Sequence, residues 1–304
     1  MKSLKAACAS LCAVILLLLP QVGCEETEVE LDMAPLSFDD QYNSCEEGMD
    51  NKIEATGLLQ KELDMNRKLK EAWENATKEW EARKKTLLKL PVGFKDNYGI
   101  AVLVYTGSFY SQLNQAVRMV GYSERDYMDQ FDFKTLHFYV TRALQVLKNN
   151  CYEGCKTVYR GVKHIHFVPS LGIGSKVRFG QFTSTSRNKD VARFFGNDTF
   201  FTITTCLGPC IADYAYLRTE DEVLVPTYEV FNVTDFNSAD HTFVLTSTGK
   251  TCSNYNCTYL GGGKPDACNH AAPRAFLALP NAMTSVLFSG VNLLVHAAAM
   301  KLFL

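Results

Sequence analysis

The pattern of apolar and polar residues divides the chain into a helical first half and a strand-rich second half. Across residues 45–90, leucines and tryptophans recur near helical spacing among Glu, Lys and Arg, until Pro91 and Gly93 interrupt the pattern. Three more helices are predicted, at residues 98–105, 110–120 and 133–148.

After Cys151 the pattern is typical of strands, with short segments rich in β-branched and aromatic residues between turn signals. These segments are residues 158–162, 176–182, 199–205, 223–225 and 227–233, and residues 242–246 are a further candidate. Helices followed by strands predict an α+β fold, with an N-terminal helical region and then a mixed or antiparallel β core. Because no Pro/Ser/Gly-rich linker divides the middle of the chain, we expect a single domain of roughly 230 residues.

The two ends of the chain are apolar in different ways. Residues 6–19 are an apolar run that follows Lys2 and Lys5 and ends at Pro20, which predicts a secretory signal over residues 1–24. Residues 275–304 are a largely apolar tract whose only charge is Lys301, and they follow small residues, which favours a glycosylphosphatidylinositol-anchor signal over residues 272–304. A transmembrane or core helix is the alternative for this tail. Residues 25–271 are then the mature domain.

Charge and cysteine content add to this picture. The 31 Lys and Arg residues nearly balance the 33 Asp and Glu residues, so there is no large basic field for nucleic acid. Eight cysteines lie outside the signal region, and an even number in an exported chain favours disulfides. The repeated Cys-x3-Cys spacing of Cys151 with Cys155 and of Cys206 with Cys210 also fits zinc, but export favours disulfides, and we expect no metal.

Several familiar sites are absent or weak. Gly172 and Gly174 lack the third glycine and the strand–helix context of a dinucleotide fingerprint. His164 and His166 are expected on one face of a strand, where they lack a third convergent ligand. Surface or packing histidines are therefore the simpler interpretation.

Two polar patterns lie within or directly after segments predicted as strands. One contains an arginine, and the other is a run of hydroxyl side chains. Arg160 lies within Val-Tyr-Arg-Gly, where a guanidinium needs an anionic partner and its fork geometry suits a phosphate. A structural ion pair is the alternative. Residues 183–186, Thr-Ser-Thr-Ser, offer hydroxyls to a ribose or carboxamide, or they form the polar face of an antiparallel strand.

A third pattern, Glu220-Asp221-Glu222, leads directly into an apolar strand. On an extended backbone Glu220 and Glu222 share a face, with Asp221 opposite. Two carboxylates on one face can divide the work: one stabilises an oxocarbenium ion, and the other binds or deprotonates a nucleophile. A solvated loop is the alternative for this motif alone.

Together the three patterns resemble the arginine-specific, clostridial-C2/C3-toxin-like mono-ADP-ribosyltransferases, especially the vertebrate ecto-enzymes. That family has an Arg strand, a Ser-Thr-Ser strand and a Glu-x-Glu motif in this order. Residues 33–42 and 204–208 are also similar to the family. The resemblance covers essentially the whole mature domain.

The resemblance implies a role for each residue, with NAD as co-substrate and no metal. Arg160 holds the NAD phosphates, Ser184 orients the nicotinamide ribose, and Glu222 stabilises the oxocarbenium-like transition state. Glu220 engages the acceptor guanidinium. Tyr105 and Gln181 match positions that line the family's NAD pocket.

Disulfides are implied in the same way. By resemblance to the family, Cys45 is expected to form a disulfide with Cys257, and Cys155 with Cys206. Parallel spacing suggests a further bond between Cys151 and Cys210, whereas the states of Cys252 and Cys268 stay open. One departure is Tyr214-Ala215-Tyr216, where many relatives have a serine at the central position. Loss of that hydroxyl is expected to weaken NAD binding.

The expected function is transfer of ADP-ribose from NAD to arginine side chains of proteins, with release of nicotinamide. The alternatives are an enzyme that mainly hydrolyses NAD, and a catalytically silent surface protein of the same fold. The expected partners are extracellular or cell-surface proteins with an accessible arginine, and not nucleic acids. The expected location is the cell surface, through a lipid anchor, or the secreted fraction.

Overall fold

The computed structural model describes residues 27–87, 89–148 and 154–262. The predicted signal and C-terminal tail, as well as Cys151 and Cys268, lie outside the described residues. Within these ranges the helices precede most of the sheet, and the α+β prediction is confirmed. No helix in the described ranges is long and apolar enough to span a membrane.

The described residues form eight α-helices and one π-helix. They are α1 (Glu46–Thr56), α2 (Leu58–Met65), α3 (Arg67–Arg83), α4 (Asp96–Val104), the π-helix Tyr105–Phe109, α5 (Tyr110–Val120), α6 (Glu124–Gln130), α7 (Lys134–Val146) and α8 (Lys189–Phe194). The helical stretch predicted over residues 45–90 is three helices. Gly57, in the left-handed region at φ 61°, ends α1, and the Asn66 side chain caps α3 by accepting from the Leu69 N–H at 3.0 Å.

The strands are β1 (Thr27–Leu31), β2 (Lys156–Val162), β3 (Ile165–Pro169), β4 (Lys176–Val177), β5 (Thr183–Ser186), β6 (Thr199–Thr205), β7 (Glu222–Val225), β8 (Glu229–Asn237) and β9 (Thr242–Thr251). Seven of these described strands form one sheet in the order β4-β8-β9-β6-β2-β5-β7, in which only β6 and β9 pair in parallel. β1 and β3 pair in parallel beside it.

The strand predicted over residues 176–182 is wrong beyond Val177. The Arg178 N–H donates to the Asp32 carbonyl at 2.8 Å, and its guanidinium forms a fully buried ion pair with Asp39 at 2.6 Å. These contacts pull the chain off the sheet toward the N-terminal segment. The next strand therefore begins only at Thr183.

In the described part of the chain, buried apolar side chains form one cluster under the helices and another against the sheet. Strand β7 separates them, because successive side chains of a strand point to opposite faces. Leu224 belongs to the helical cluster, whereas Val223 and Val225 belong to the sheet cluster. β7 is thus buried on both faces, and its first residue is Glu222.

Residues 40–45 bind the last described residues of the chain, near residue 257. The Asp40 carboxylate accepts backbone N–H groups of Cys257 and Thr258, each at 2.9 Å. A disulfide joins Cys45 to Cys257, and a second joins Cys155 to Cys206. The first closes the helical half onto the last described residues.

Candidate active site

A cavity of about 480 Å³ opens between the π-helix, the strands β2, β5 and β7, helix α8 and residues 217–220. Arg160, Ser184, Glu220, Glu222 and Tyr105 all line it. Residues that are up to 117 positions apart in the sequence are therefore brought to one place by the pairing of β5 with both β2 and β7.

Arg160 lies on β2, directly opposite Phe201 of β6. Its Nη1 donates to the Ser184 carbonyl at 2.8 Å, which aims the guanidinium along the cavity wall. Burial lowers the pKa of Arg160, while the charge of Glu222 acts in the opposite direction. An arginine stays protonated under such conditions, so the wall carries a fixed cation.

Gly161, the next residue, allows helix α8 to approach this strand. A Cβ at this position would lie 2.2 Å from the Gly196 carbonyl oxygen and 2.4 Å from the Ala192 carbonyl oxygen. Because both obstacles are backbone atoms, a larger residue would push α8 away from the cavity. Glycine after the arginine is therefore required by packing.

The Thr-Ser-Thr-Ser strand divides its hydroxyls between structure and site. Thr185 Oγ1 donates to the Val223 carbonyl at 2.7 Å, and Ser186 Oγ donates to the Glu220 carbonyl at 2.6 Å. These bonds hold β7 and the turn before it. The Ser184 side chain instead forms a hydrogen bond with Glu222 inside the cavity.

Glu222 is the first residue of β7, opposite Ser186 in the strand pairing, and is only 4% exposed. Burial raises the pKa of Glu222 to about 7, and the nearby charge of Glu220 adds to that rise. The Ser184 hydrogen bond and the Arg160 charge lower the same pKa without cancelling the effect of burial. Perturbed carboxylates of this kind are concentrated at functional sites.

Glu220 and Glu222 both face the cavity, but not for the reason expected. The extended backbone predicted for residues 220–222 is wrong: Glu220 ends a 3₁₀ turn, and Asp221 is left-handed at φ 47° and ψ 48°. The Asp221 carboxylate instead pairs with the Arg187 guanidinium, and Asp221 does not line the cavity. Glu220 is half-buried, and burial raises its pKa.

Tyr105 begins the π-helix and supports the cavity wall. Its hydroxyl donates to the Phe182 carbonyl at 3.0 Å and accepts from Asn114 at 3.2 Å. Burial raises the pKa of Tyr105 well above its usual value, so the phenol stays neutral. A π-helix inserted between two α-helices is frequently found at a functional site.

Gln181 is not among the residues that line the main cavity. It borders a smaller neighbouring cavity of about 20 Å³, which shares Arg160 with the main one. Its Oε1 accepts a hydrogen bond from Arg118 of α5. Burial, together with a smaller effect of the Arg160 charge, lowers the pKa of Arg118 to about 10.

Some residues that line the main cavity were not predicted from the sequence. Tyr110 and Asn114 are one helical turn apart on α5, so the i, i+4 spacing was a usable signal. Tyr159 flanks Arg160, and Lys163 follows the same strand. Arg118, which contacts Gln181 but does not line the main cavity, gave no signal in the sequence, because this contact joins residues 63 positions apart.

The prediction that His164 and His166 share one face of a strand is wrong. β3 begins at Ile165, and His164 lies before it in a left-handed turn at φ 63°. His164 lines the main cavity, whereas His166 stacks on His241 with ring centroids 4.1 Å apart. The turn rotates the two rings to different sides.

Two further features bear on the sequence analysis. Ala215, the departure from the Tyr-Ser pair, is fully buried and does not line the main cavity. Among the described residues, no group of three or more His, Cys, Asp or Glu side chains is placed to hold a metal ion.

The chain is similar to known proteins over most of its length. Residues 31–253 match the family described as NAD:arginine ADP-ribosyltransferase. Human ecto-ADP-ribosyltransferase 5 is 46% identical over 246 residues, which is 78% of this chain and 83% of the human protein. Mouse GPI-linked NAD(P)(+)--arginine ADP-ribosyltransferase 1 is 40% identical over 79% of this chain and 76% of its own length.

A solved structure shares the fold. The crystal structure of the eukaryotic mono-ADP-ribosyltransferase ART2.2 superposes with a TM-score of 0.67 at 41% identity, covering 76% of this chain and 99% of that one. A mutant of ART2.2 has also been crystallised in complex with NADH, and that structure matches equally well.

Proposed function

The chain belongs to the NAD:arginine ADP-ribosyltransferase family, and we propose that Arg160, Ser184 and Glu222 are its catalytic residues. It is an enzyme that uses NAD as co-substrate and modifies arginine. We place the NAD in the cavity of about 480 Å³ between the π-helix, strand β5 and the edge strand β7. The observation that carries this proposal is the convergence of Arg160, Ser184 and both glutamates on that one cavity.

Arg160 is the residue for the NAD pyrophosphate. Its guanidinium is a fixed cation on the cavity wall, and a planar fork pairs with phosphate oxygens through two parallel hydrogen bonds. Because one Nη is held by the Ser184 carbonyl, the remaining donors have a restricted direction. Binding at the phosphates places the nicotinamide ribose against the neighbouring strand β5.

Glu222 is the residue for the bond that breaks. Cleavage of the bond between the ribose C1′ and the nicotinamide nitrogen returns the bonding electron pair to nicotinamide, which leaves neutral, and leaves positive charge on the ribose. A carboxylate in a buried site stabilises that charge more strongly than it would in water. The Ser184 hydrogen bond holds the Glu222 carboxylate in position for this task.

Glu220 is the residue for the acceptor. An arginine Nη attacks C1′, the new C–N bond forms, and the extra proton leaves from the guanidinium nitrogen to the Glu220 carboxylate or to water. Because Glu220 is half-buried at the cavity edge, it reaches both the cavity and a docked protein. Bidentate pairing with a carboxylate aligns the attacking nitrogen.

The proposed location is the cell surface. Related proteins carry the names ecto-ADP-ribosyltransferase and GPI-linked ADP-ribosyltransferase. These names support the interpretation of residues 1–24 as a signal, residues 25–271 as one catalytic domain, and residues 272–304 as an anchor signal. The proposed partners are extracellular or cell-surface proteins that expose an arginine.

The proposal is tested with labelled NAD and agmatine, a small guanidino acceptor, using the full chain expressed on cells. We expect an ADP-ribosyl-agmatine adduct from the wild type. Arg160→Lys keeps the charge but loses the fork, and we expect kcat/KM for NAD to fall on the order of a hundredfold.

Free ADP-ribose is quantified in the same samples. Free ADP-ribose without any adduct identifies an NAD hydrolase and contradicts the transfer function. An Arg160→Lys variant with unchanged kcat/KM removes the proposed role of Arg160.

A further inference from the structure

Residues 213–220, here called the acceptor loop, lie in the connection from β6 to β7, shortly before β7, and Leu217 and Glu220 of this loop line the cavity. The loop has an inner and an outer side. Tyr214 and Ala215 are buried in the helical cluster, whereas Tyr216 is 55% exposed and Leu217 is 51% exposed. The position of Glu220 therefore depends on how the inner side is held.

Arg83 holds the loop from the helical layer. It is the last residue of α3, is 8% exposed, and its Nη1 donates to the Ala215 carbonyl. The same guanidinium donates through Nε and Nη2 to Glu79, one turn earlier, at 3.2 and 2.7 Å. Glu79 thereby fixes the plane of the guanidinium, so that Nη1 stays directed at the loop.

Thr106, on the cavity wall, binds the peptide group of the loop between Ala215 and Tyr216. Its hydroxyl donates to the Val102 carbonyl at 2.8 Å and accepts from the Tyr216 N–H at 2.9 Å. Thr106 belongs to the π-helix and lines the main cavity. The loop is thus joined to the wall of the cavity that it serves.

The far end of the loop has its own attachment. Ser186 Oγ donates to the Glu220 carbonyl at 2.6 Å, and β5 fixes the position of Ser186. The backbone is consequently held at residues 215–216 and again at residue 220. Only residues 217–219 lie between these attachments.

We propose that Arg83 is a positioning residue which, together with Thr106, sets the direction of Glu220 and so determines how ADP-ribose is divided between a guanidinium and water. This inference rests on the proposed role of Glu220. Glu222 does not depend on the loop in the same way, because its position follows from the pairing of β7 with β5. Loss of Arg83 therefore affects transfer more than it affects NAD cleavage.

The test is the ratio of agmatine adduct to free ADP-ribose in the full chain carrying Arg83→Met. We expect the ratio to fall on the order of tenfold, since a small misplacement of an orienting group costs about that much or more. The KM for NAD should stay near the wild-type value. Arg83→Lys, which retains a cationic donor group but loses the planar fork, should give an intermediate ratio.

Two further variants make the result specific. Arg125→Met removes an exposed arginine of α6, paired with Asp129, and should leave the ratio unchanged. Thr106→Val removes the acceptor for the Tyr216 N–H and should lower the ratio as Arg83→Met does. If Arg83→Met folds poorly, the ratio in Thr106→Val still tests whether the attachment of the acceptor loop sets the division of ADP-ribose between a guanidinium and water.

Amide hydrogen exchange of residues 215–219 reports the loop without any assay of activity. We expect faster exchange in Arg83→Met than in the wild type. An unchanged ratio with wild-type exchange, or an equal loss of both products, overturns the role of Arg83. A third outcome is faster exchange and a lowered ratio in Arg83→Met together with a wild-type ratio in Glu220→Gln. That outcome would show that Arg83 holds the acceptor loop, but it would overturn the proposal that Arg83 acts through Glu220.

Discussion

Glu222 begins a strand that is buried on both faces, whereas Glu220 ends a 3₁₀ turn in a partly exposed loop. The two residues are two positions apart in the sequence and line the same cavity. Glu222 is fixed by the strand pairing of β7 and by Ser184, whereas Glu220 is held through the backbone of the acceptor loop. The residue proposed for the common bond-breaking step thus lies on a buried strand, and the residue proposed for the variable acceptor lies on the loop.

Replacement of the strand glutamate should have the largest effect. Glu222→Gln removes the charge that stabilises the oxocarbenium ion while keeping the side-chain volume. We expect adduct and free ADP-ribose to fall together by about a thousandfold, the scale found when a group that stabilises the charge of a transition state is removed. NAD affinity, measured by calorimetry, should change little.

This result separates the two regions. A Glu222→Gln variant that loses the adduct but still releases free ADP-ribose would place the common step elsewhere. Retained NAD binding serves as the control that the cavity is intact.

The pH dependence should follow the same residue with a smaller effect. Burial raises the pKa of Glu222 to about 7, so the carboxylate is present above pH 7 and becomes protonated as the pH falls. We expect kcat/KM for NAD to fall about tenfold for each pH unit below 7. A profile that is flat between pH 5 and pH 8 would show that the active form of Glu222 does not titrate there.

Sequence patterns predicted the elements whose side chains alternate or recur within one segment. α5 and β6 have the predicted bounds, residues 110–120 and 199–205. Disagreement arises where a contact from elsewhere in the chain decides the local backbone. Arg178 leaves the sheet because its partner Asp39 lies 139 residues away.

The candidate site shows the same limit at the level of single residues. The Glu-Asp-Glu motif at residues 220–222 is recognisable in the sequence, but its left-handed residue is not, even though aspartate tolerates that conformation better than most side chains. Arg118 contacts Gln181, and Arg83 contacts the Ala215 carbonyl, partners that are 63 and 132 residues distant in the sequence. No local period or spacing encodes such contacts.

The division of work between the two glutamates is tested most directly by total nicotinamide release in Glu220→Gln with saturating agmatine. We predict release within about twofold of the wild type, because the role proposed for Glu220 concerns the acceptor and not the bond that breaks. The adduct should nearly disappear, and free ADP-ribose should rise to replace it. A fall in nicotinamide release as large as the fall in adduct would contradict the division, since it would make Glu220 part of the step assigned here to Glu222.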